Sequence, residues 1–315
     1  MKRASYCFLQ ARRLGPGLPV VMMRASNFYF SRGHYEEALQ CASSVLAKVR
    51  EYDEPIFGYY DRTGIALADL LDRGLPVEYS ASMAFLAHVR RTRPVPQVLA
   101  VWDHLRARSL IDVRAVREQL DYLFAARQYE AAAKTWCDFV DERGYRTENF
   151  VFNGGFDREW IGSRFDWAVT AIPEVEVARD TTVFKSGSAS LRVDFLGTAN
   201  LKYGHIMQSI WLPAGIYMFT AWVRTDGLTT DEGIRLRIVR ANGAPGFGFV
   251  TEDVKGSTDW TRIQQVLSIP APGSLAALQI VRRASHKFDS KIVGRAWIDD
   301  VELRPLSRAV ASVRN

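Results

Sequence analysis

The chain changes period near residue 149, and that change constrains the fold more than any single motif. Before it, apolar residues recur every three or four positions, as in "FYFSRGHYEEALQCASSVL", the spacing that keeps one face of a helix apolar. After it, segments such as "SASLRVDF", "HIMQSIWL", "IYMFTAWVR", "IRLRIVRA", "TRIQQVLSI", "AALQIVRR" and "RAWIDDVEL" alternate apolar and polar residues between Gly, Pro, Asn and Asp turns. Alternation puts every second side chain on one face of a strand, and seven or more short strands with such punctuation make a sandwich. Composition shifts at the same place: residues 1–148 hold seven of the 22 glycines and two of the eight tryptophans, and the remainder holds fifteen and six. The expected organisation is an all-α helical-repeat domain over 1–148, an antiparallel β-sandwich jelly roll over 149–307 and a short tail at 308–315.

The helical part carries an internal repeat. "VLAVWDHL" superposes on "AAKTWCDFV", with Trp102 landing on Trp136 at a spacing of 34 residues. Both "FYFSRGHYEEALQC" and "FAARQYEAAAKTW" place an aromatic, a turn residue and a Tyr ahead of Glu and small residues. These junctions resemble those of tetratricopeptide repeats, in which Gly33 or Gln128 would occupy the turn, Tyr35 or Tyr129 would open the second helix, and Ala38 or Ala132 would let helices approach closely. The middle copy, "RTRPVPQVLAVW", departs from the pattern with prolines at the turn and first helical positions, which a helix start tolerates. Stacked hairpins of this kind imply a groove for a protein partner, while Trp102 and Trp136 read as shared core.

Several function classes are disfavoured. The net charge of +6 is spread evenly, with no basic stripe interleaved with aromatics of the sort that nucleic-acid binding requires. Cys7, Cys41 and Cys137 are few, odd in number and confined to the helical part, so no disulfide framework is implied. The opening "MKRASYCFLQARRLGPGLPVVMMRAS" is interrupted by Gly15, Pro16 and Pro19, which makes it a poor signal peptide and too short a span for a bilayer. A cytoplasmic location is the default, and an envelope association follows if the β part binds surface glycans. The five histidines form no metal-protease spacing, and GxSxG, Walker and GxGxxG elements are absent, so the chain is not expected to be an enzyme.

"WIDDVEL" sets two neighbouring carboxylates in an apolar strand. By alternation Asp299 shares a side with Trp297, Val301 and Leu303, and Asp300 shares the other with Ile298 and Glu302. A buried carboxylate needs a cation, a set of donors or a metal ion. The order of "NGGFD", "SGSASLRV", "AGIYMFTAWVRTDG", "STDWTRIQQVLSIP" and "WIDDVEL" resembles carbohydrate-binding modules of the galactose-binding-like jelly-roll type over residues 149–305. That resemblance implies a structural Ca²⁺ held by Asp157 and Asp299 with backbone oxygens from Lys185 to Ser188. Asp157 stands where such modules usually have Glu. The alternative is that Asp299 accepts hydrogen bonds from backbone amides or an arginine.

The resemblance also implies a glycan ligand, which needs an aromatic plane and polar groups. Alternation turns Trp222 and Arg224 outward on one strand, His205 and Trp211 on another and Arg235 and Arg237 on a third, and the loop after "QIV" adds Arg282 and His286. For each of these the competing role is packing against a loop or against the helices. The expectation is a non-catalytic adaptor whose jelly roll binds a carbohydrate, such as a bacterial surface polysaccharide, while the helices dock a protein. Its rival is a protein-interaction scaffold whose jelly roll is purely structural.

Overall fold

The computed structural model describes residues 15, 17–241, 243 and 245–307; Cys7, most of the N-terminal segment and the tail at 308–315 lie outside them. The chain forms two compact units, 1–115 and 116–315.

The first unit is helical. Helices α1 (Pro19–Ser31) and α2 (Tyr35–Leu46) form a hairpin whose turn passes through Gly33 at φ +72°, a left-handed conformation that glycine adopts without strain. Ala38 and Ala42 are fully buried on α2, and the Ser26 hydroxyl on α1 donates to the Ala38 carbonyl at 3.0 Å, so small side chains do bring the two helices close. The stretch after α2 is irregular. A 3-10 turn (Arg50–Tyr52) leads into α3 (Asp53–Arg62), and the short α4 (Leu67–Asp69) runs into a π turn over Leu70–Gly74. The buried Tyr60 hydroxyl donates to the Gly74 carbonyl at 2.8 Å and holds that turn against α3. Helix α5 (Tyr79–Thr92) is capped by the Glu78 carboxylate, which accepts from the Ser80 and Ala81 amides. Helix α6 (Val95–Ala107) starts directly after Pro94, where the missing N–H costs nothing.

A further hairpin, α7 (Val113–Ala125) and α8 (Tyr129–Val140), ends the helical stretch. Tyr35 and Tyr129 each open the second helix of a hairpin, and Trp102 and Trp136 are both buried, as the repeat pattern implied. The division into units nevertheless falls at Ala115 and not near 148. The α7–α8 hairpin belongs with the sandwich because its aromatic residues pack on the segment that leads into it and on one of its strands: Phe124 on Phe165 with ring centroids 5.4 Å apart, Trp136 edge-on to Phe152 at 5.2 Å, and Tyr129 beside Trp211 at 6.4 Å.

The β sandwich contains β1 (Ala168–Val169), β2 (Val175–Asp180), β3 (Ser190–Leu196), β4 (Tyr203–Leu228), β5 (Arg235–Arg240), β6 (Gly248–Val250), β7 (Gly256–Arg282) and β8 (Val293–Ser307). All pairings are antiparallel, in the order β2-β3-β8-β4-β7-β5-β6 with β1 on β4. Strands β4 and β7 are long because each bends at a proline-containing corner, where the register jumps from Pro213 opposite Gly273 to Gly215 opposite Ile269. The first half of β4 and the last half of β7 join β1, β5 and β6 in one layer; the other halves join β8, β3 and β2 in the second. Between the layers lies one core: Ile206, Ile210, Leu236, Ile238 and Leu278 from the first, and Phe219, Val223, Leu191, Ile298 and Leu303 from the second. Each such side chain contributes about 1.5–3 kcal/mol by leaving water.

The two ends of this sandwich run side by side. The Phe150 amide donates to the Leu303 carbonyl and the Val301 amide to the Gly154 carbonyl, both at 3.0 Å. Gly154 is required here, because a Cβ would collide with the Val301 carbonyl oxygen. Gln208 completes the seam from inside: its side-chain amide both donates to the Phe152 carbonyl and accepts from the Phe152 amide.

Candidate functional site

The two neighbouring acids of β8 are separated by a β-bulge. Two steps on β4, from Thr220 to Trp222, are matched by three on β8, from Glu302 to Asp299, and Asp300 takes φ +47° to absorb the extra residue. The bulge corrects the expected alternation. Asp299 keeps the side of Trp297, whereas Val301 and Leu303 move to the core face beside Ile298.

Asp299 is fully buried beneath the 185–188 loop. Its Oδ2 accepts from the amides of Lys185 at 2.7 Å and Ser186 at 3.2 Å, and its Oδ1 accepts from the Asp300 amide at 2.7 Å. Burial nonetheless pushes its pKa up to about 6, against the opposing pull of those three amides. Asp157 meets the other end of the same loop, where its Oδ1 accepts from the amide and the hydroxyl of Ser188. Asp300 is not simply solvated, as its Oδ1 accepts from the Ser186 hydroxyl at 2.6 Å.

The two acids expected to hold a metal therefore do come together. Both face Gly155: a Cβ there would lie 3.1 Å from Asp157 Oδ2 and 3.8 Å from Asp299 Oδ1. Gly187, at φ +66°, likewise leaves room that a side chain would fill against the Asp157 carboxylate. A polar recess of about 310 Å³ opens at this end, lined by Asn149, Asn153, Asp157, Asp300 and Glu302. An oxygen-only donor set around side-chain-free space suits a hard cation in its chemistry. The contacts in place are those from backbone amides, and among the described residues no cluster of three or more metal-ligating side chains occurs.

The residues expected to bind a ligand separate into three groups. Trp222 and Arg224 lie on the outer face of the second layer, where the Lys185 ammonium sits 4.2 Å from the centroid of the Trp222 ring and Arg224 lies over Trp297. Trp297 donates through Nε1 to Asp180. Burial raises the pKa of Asp180, but hydrogen bonds from Thr182, Trp297 and Val183 together outweigh it and hold this carboxyl well below the usual range. Aromatic faces in this patch are thus already engaged by cations of the same chain.

The second group is structural, contrary to expectation. Arg282 is 1% exposed; its guanidinium donates to the carbonyls of Glu232 and Leu201 and to the Thr230 hydroxyl, tying two loops to the end of β7. Arg235 is held by Glu232 at 2.9 Å, Asp253 at 3.4 Å and the Thr251 carbonyl. His286 is exposed in the loop after β7.

The third group is on the outer face of the first layer, where His205 and Trp211 follow one another along β4 and Arg237 donates twice to Gln279 on the adjacent strand. Trp211 there lines a cleft of about 350 Å³ together with Phe124, Tyr129, Arg240 and Ser274. The Tyr129 and Trp211 rings lie 6.4 Å apart at 33°. Phe124, Tyr129 and Trp211 are all half-buried, so each offers part of its ring to the cleft. Arg240 rests over Phe247, and its Nε–H has no partner among the described residues. The cleft combines apolar ring surface with guanidinium, hydroxyl and backbone polar groups, the means by which a small polar ligand is both stacked and oriented. Sequence reasoning missed Phe124, Tyr129 and Arg240; Tyr129 had been read only as the residue that opens a helix.

No family model matches the chain, and no curated protein does. Among solved structures, TmCBM61 in complex with β-1,4-galactotriose is similar at 16% identity and a TM-score of 0.35, covering 50% of this chain and 99% of that one. The CBM22-1 and GH10 modules of Clostridium thermocellum xylanase 10B, complexed with xylohexaose, match at 17% identity and a TM-score of 0.35, over 50% of this chain and 29% of that one. A putative sugar-binding protein from Bacteroides thetaiotaomicron matches at 13% identity and a TM-score of 0.35, over 50% of this chain and 100% of that one.

Proposed function

We propose that this chain is a non-catalytic adaptor whose β-containing unit binds carbohydrate in the cleft around Trp211. The observation that carries the reading is the convergence of three half-buried aromatic rings with Arg240 and Ser274 around a space of about 350 Å³. A pyranose presents C–H groups on its faces and hydroxyls around its rim, so it stacks on the rings and bonds to the polar groups at the edge. Trp222, already covered by Lys185, and Arg224, already over the Trp297 ring, are the secondary surface. A surface polysaccharide of bacterial type is the ligand class, and the helical unit docks a protein partner through the face that carries the exposed Tyr35.

The proposal includes a structural Ca²⁺ held by Asp157 and Asp299. Support comes from their shared approach to Gly155 and from the elevated pKa of Asp299, the mark of a buried negative charge with incomplete compensation. The ion would supply charge and oxygen coordination that lock the 185–188 loop to β8, with no direct part in ligand choice.

A glycan array probed with the full chain tests the reading. Binding that disappears in Trp211→Ala and Tyr129→Ala and persists in Trp222→Ala is the expected result. Loss in Trp222→Ala alone would move the site to the other layer. An array blank for every glycan class, with a protein partner identified, would leave the jelly roll as structural scaffold.

A further inference from the structure

A second cavity lies beside the Trp211 cleft. It measures about 270 Å³ and is lined by Arg117 and Asp121 of α7, by Ser163 and Arg164 of the loop before β1, and by Met207 and Ser209 of β4. Ser209 and Trp211 point to the same face of β4 two residues apart, about 7 Å along the strand. Arg164 links the two spaces directly: its guanidinium lies 5.2 Å from the centroid of the Phe124 ring, which lines the Trp211 cleft. Cleft and cavity together make one trough between α7 and the outer face of the first layer.

The chemistry changes along that trough. At the Trp211 end it is aromatic; at the other end two guanidiniums line the wall with the Asp121 carboxylate, and the Arg117 charge also reaches the buried carboxyl of Asp166. Arg164 Nε is paired with Asp121 at 2.8 Å, whereas Arg117 gives its Nη2 to the Ile161 carbonyl, one of the five donors a guanidinium carries. Ser163 is 6% exposed, and its buried hydroxyl has no hydrogen-bond partner among the described residues. A buried hydroxyl without a partner is costly, and native structures keep few of them. Two arginines and an unsatisfied hydroxyl above the apolar floor of Met207 form a receptor for an anion attached to an apolar ring edge.

We infer that the saccharide is acidic: a sugar residue bearing a carboxylate or a sulfate ester seats its anionic group between Arg117, Arg164 and the Ser163 hydroxyl, while a neighbouring sugar stacks in the Trp211 cleft. This rests on the carbohydrate reading above and adds the ligand's charge to it. Carboxylate and sulfate share charge and acceptor geometry, so the test separates them.

Titration calorimetry on the full chain would compare oligogalacturonate, a sulfated galacto-oligosaccharide and the neutral galacto-oligosaccharide of equal length, at low and high salt. One of the two acidic ligands binds at least roughly tenfold tighter than the neutral one, with the difference shrinking at high salt. Arg117→Gln removes most of that preference; Trp211→Ala weakens all three ligands. Ser163→Ala removes only a hydroxyl that lacks a partner, so it leaves the melting temperature unchanged or higher while weakening the acidic ligand several-fold. Equal affinity for neutral and acidic ligands, or acidic binding insensitive to both Arg117→Gln and Ser163→Ala, overturns the inference and leaves the carbohydrate reading standing. No binding in any arm overturns both.

Discussion

Asp299 has a carboxylate fully buried beneath a loop, three backbone amides directed at it and a pKa raised to about 6 from the usual 3.8. Because the folded-state value is the higher one, the folded protein binds the proton more tightly, and this residue's contribution to stability is complete below about pH 4 and lost as pH rises through 6. Two units correspond to about 3 kcal/mol. A bound cation removes the loss by stabilising the ionised form, so added Ca²⁺ should raise the melting temperature more at pH 7.5 than at pH 5, and Asp157→Asn should abolish the difference. A melting temperature indifferent to Ca²⁺ and chelator at both pH values would show that the amides alone serve the two acids. Asp299→Ala leaves three N–H groups without their carboxylate acceptor and should cost about 2–4 kcal/mol at pH 5, and less at pH 7.5 without Ca²⁺, where the charge penalty disappears with the side chain. Asp300→Ala loses the Ser186 hydrogen bond and puts alanine at positive φ, for about 1 kcal/mol; Asp300→Gly restores the backbone freedom and should cost less. Chemical denaturation of each variant at the two pH values gives the ordering.

At the scale of elements, two features of the sandwich were not legible in the strand pattern. Alternation predicted the inward residues of β4 and β5 correctly, since Phe219, Val223, Ile206, Ile210, Leu236 and Ile238 are all in the core. It failed at Asp300, because a bulge inserts one residue and period-two counting has no means of seeing an insertion. The expected ligand-binding roles of Arg235 and Arg282 failed for a different reason. Both stand at strand ends, and most of the carbonyls and acids that surround them come from loops distant in sequence: Leu201, Thr230 and Glu232 for Arg282, and Asp253 and Thr251, beside the nearby Glu232, for Arg235. Burial lowers the basicity of Arg282, partly offset by Glu232 and Asp231. Arg282→Ala should therefore destabilise by about 3 kcal/mol through unpaired carbonyls and a cavity, while Arg237→Ala, which gives up two bonds to Gln279 in a half-buried position, should cost about 1 kcal/mol or less. Equal losses in urea titrations would contradict the assignment of Arg282 as a clamp.

For the whole molecule, the change of period at residue 149 locates the change of secondary structure but not the limit of cooperative packing. The α7–α8 hairpin reads as the last member of the helical repeat by sequence grammar, yet Phe124, Tyr129 and Trp136 meet Phe165, Trp211 and Phe152. Those contacts join segments far apart along the chain, and neither segment's own periodicity encodes them. The Trp211 cleft was half visible for the same reason: Trp211 could be placed on an outer face, whereas the helix that completes the cleft could not. A fragment spanning 116–315 should unfold in one transition, whereas one spanning 149–315 should melt lower and bind a hydrophobic dye through the uncovered rings. Coincident melting curves for the two fragments would restore 149 as the true boundary.

The seam between the ends of the sandwich has a mechanical consequence. The 149–154 segment and the end of β8 run antiparallel, held by the Phe150 to Leu303 and Val301 to Gly154 bonds, so the chain enters and leaves at the same corner. Tension applied between entrance and exit loads those bonds one after another, as in a zipper, and opens the seam at low force. Tension applied between the entrance and a polymer held in the Trp211 cleft is shared across the strands of the first layer instead. An anchor working in that second direction resists pulling far better than its own termini suggest, and a single-molecule experiment with handles at the two ends would measure only its weakest axis.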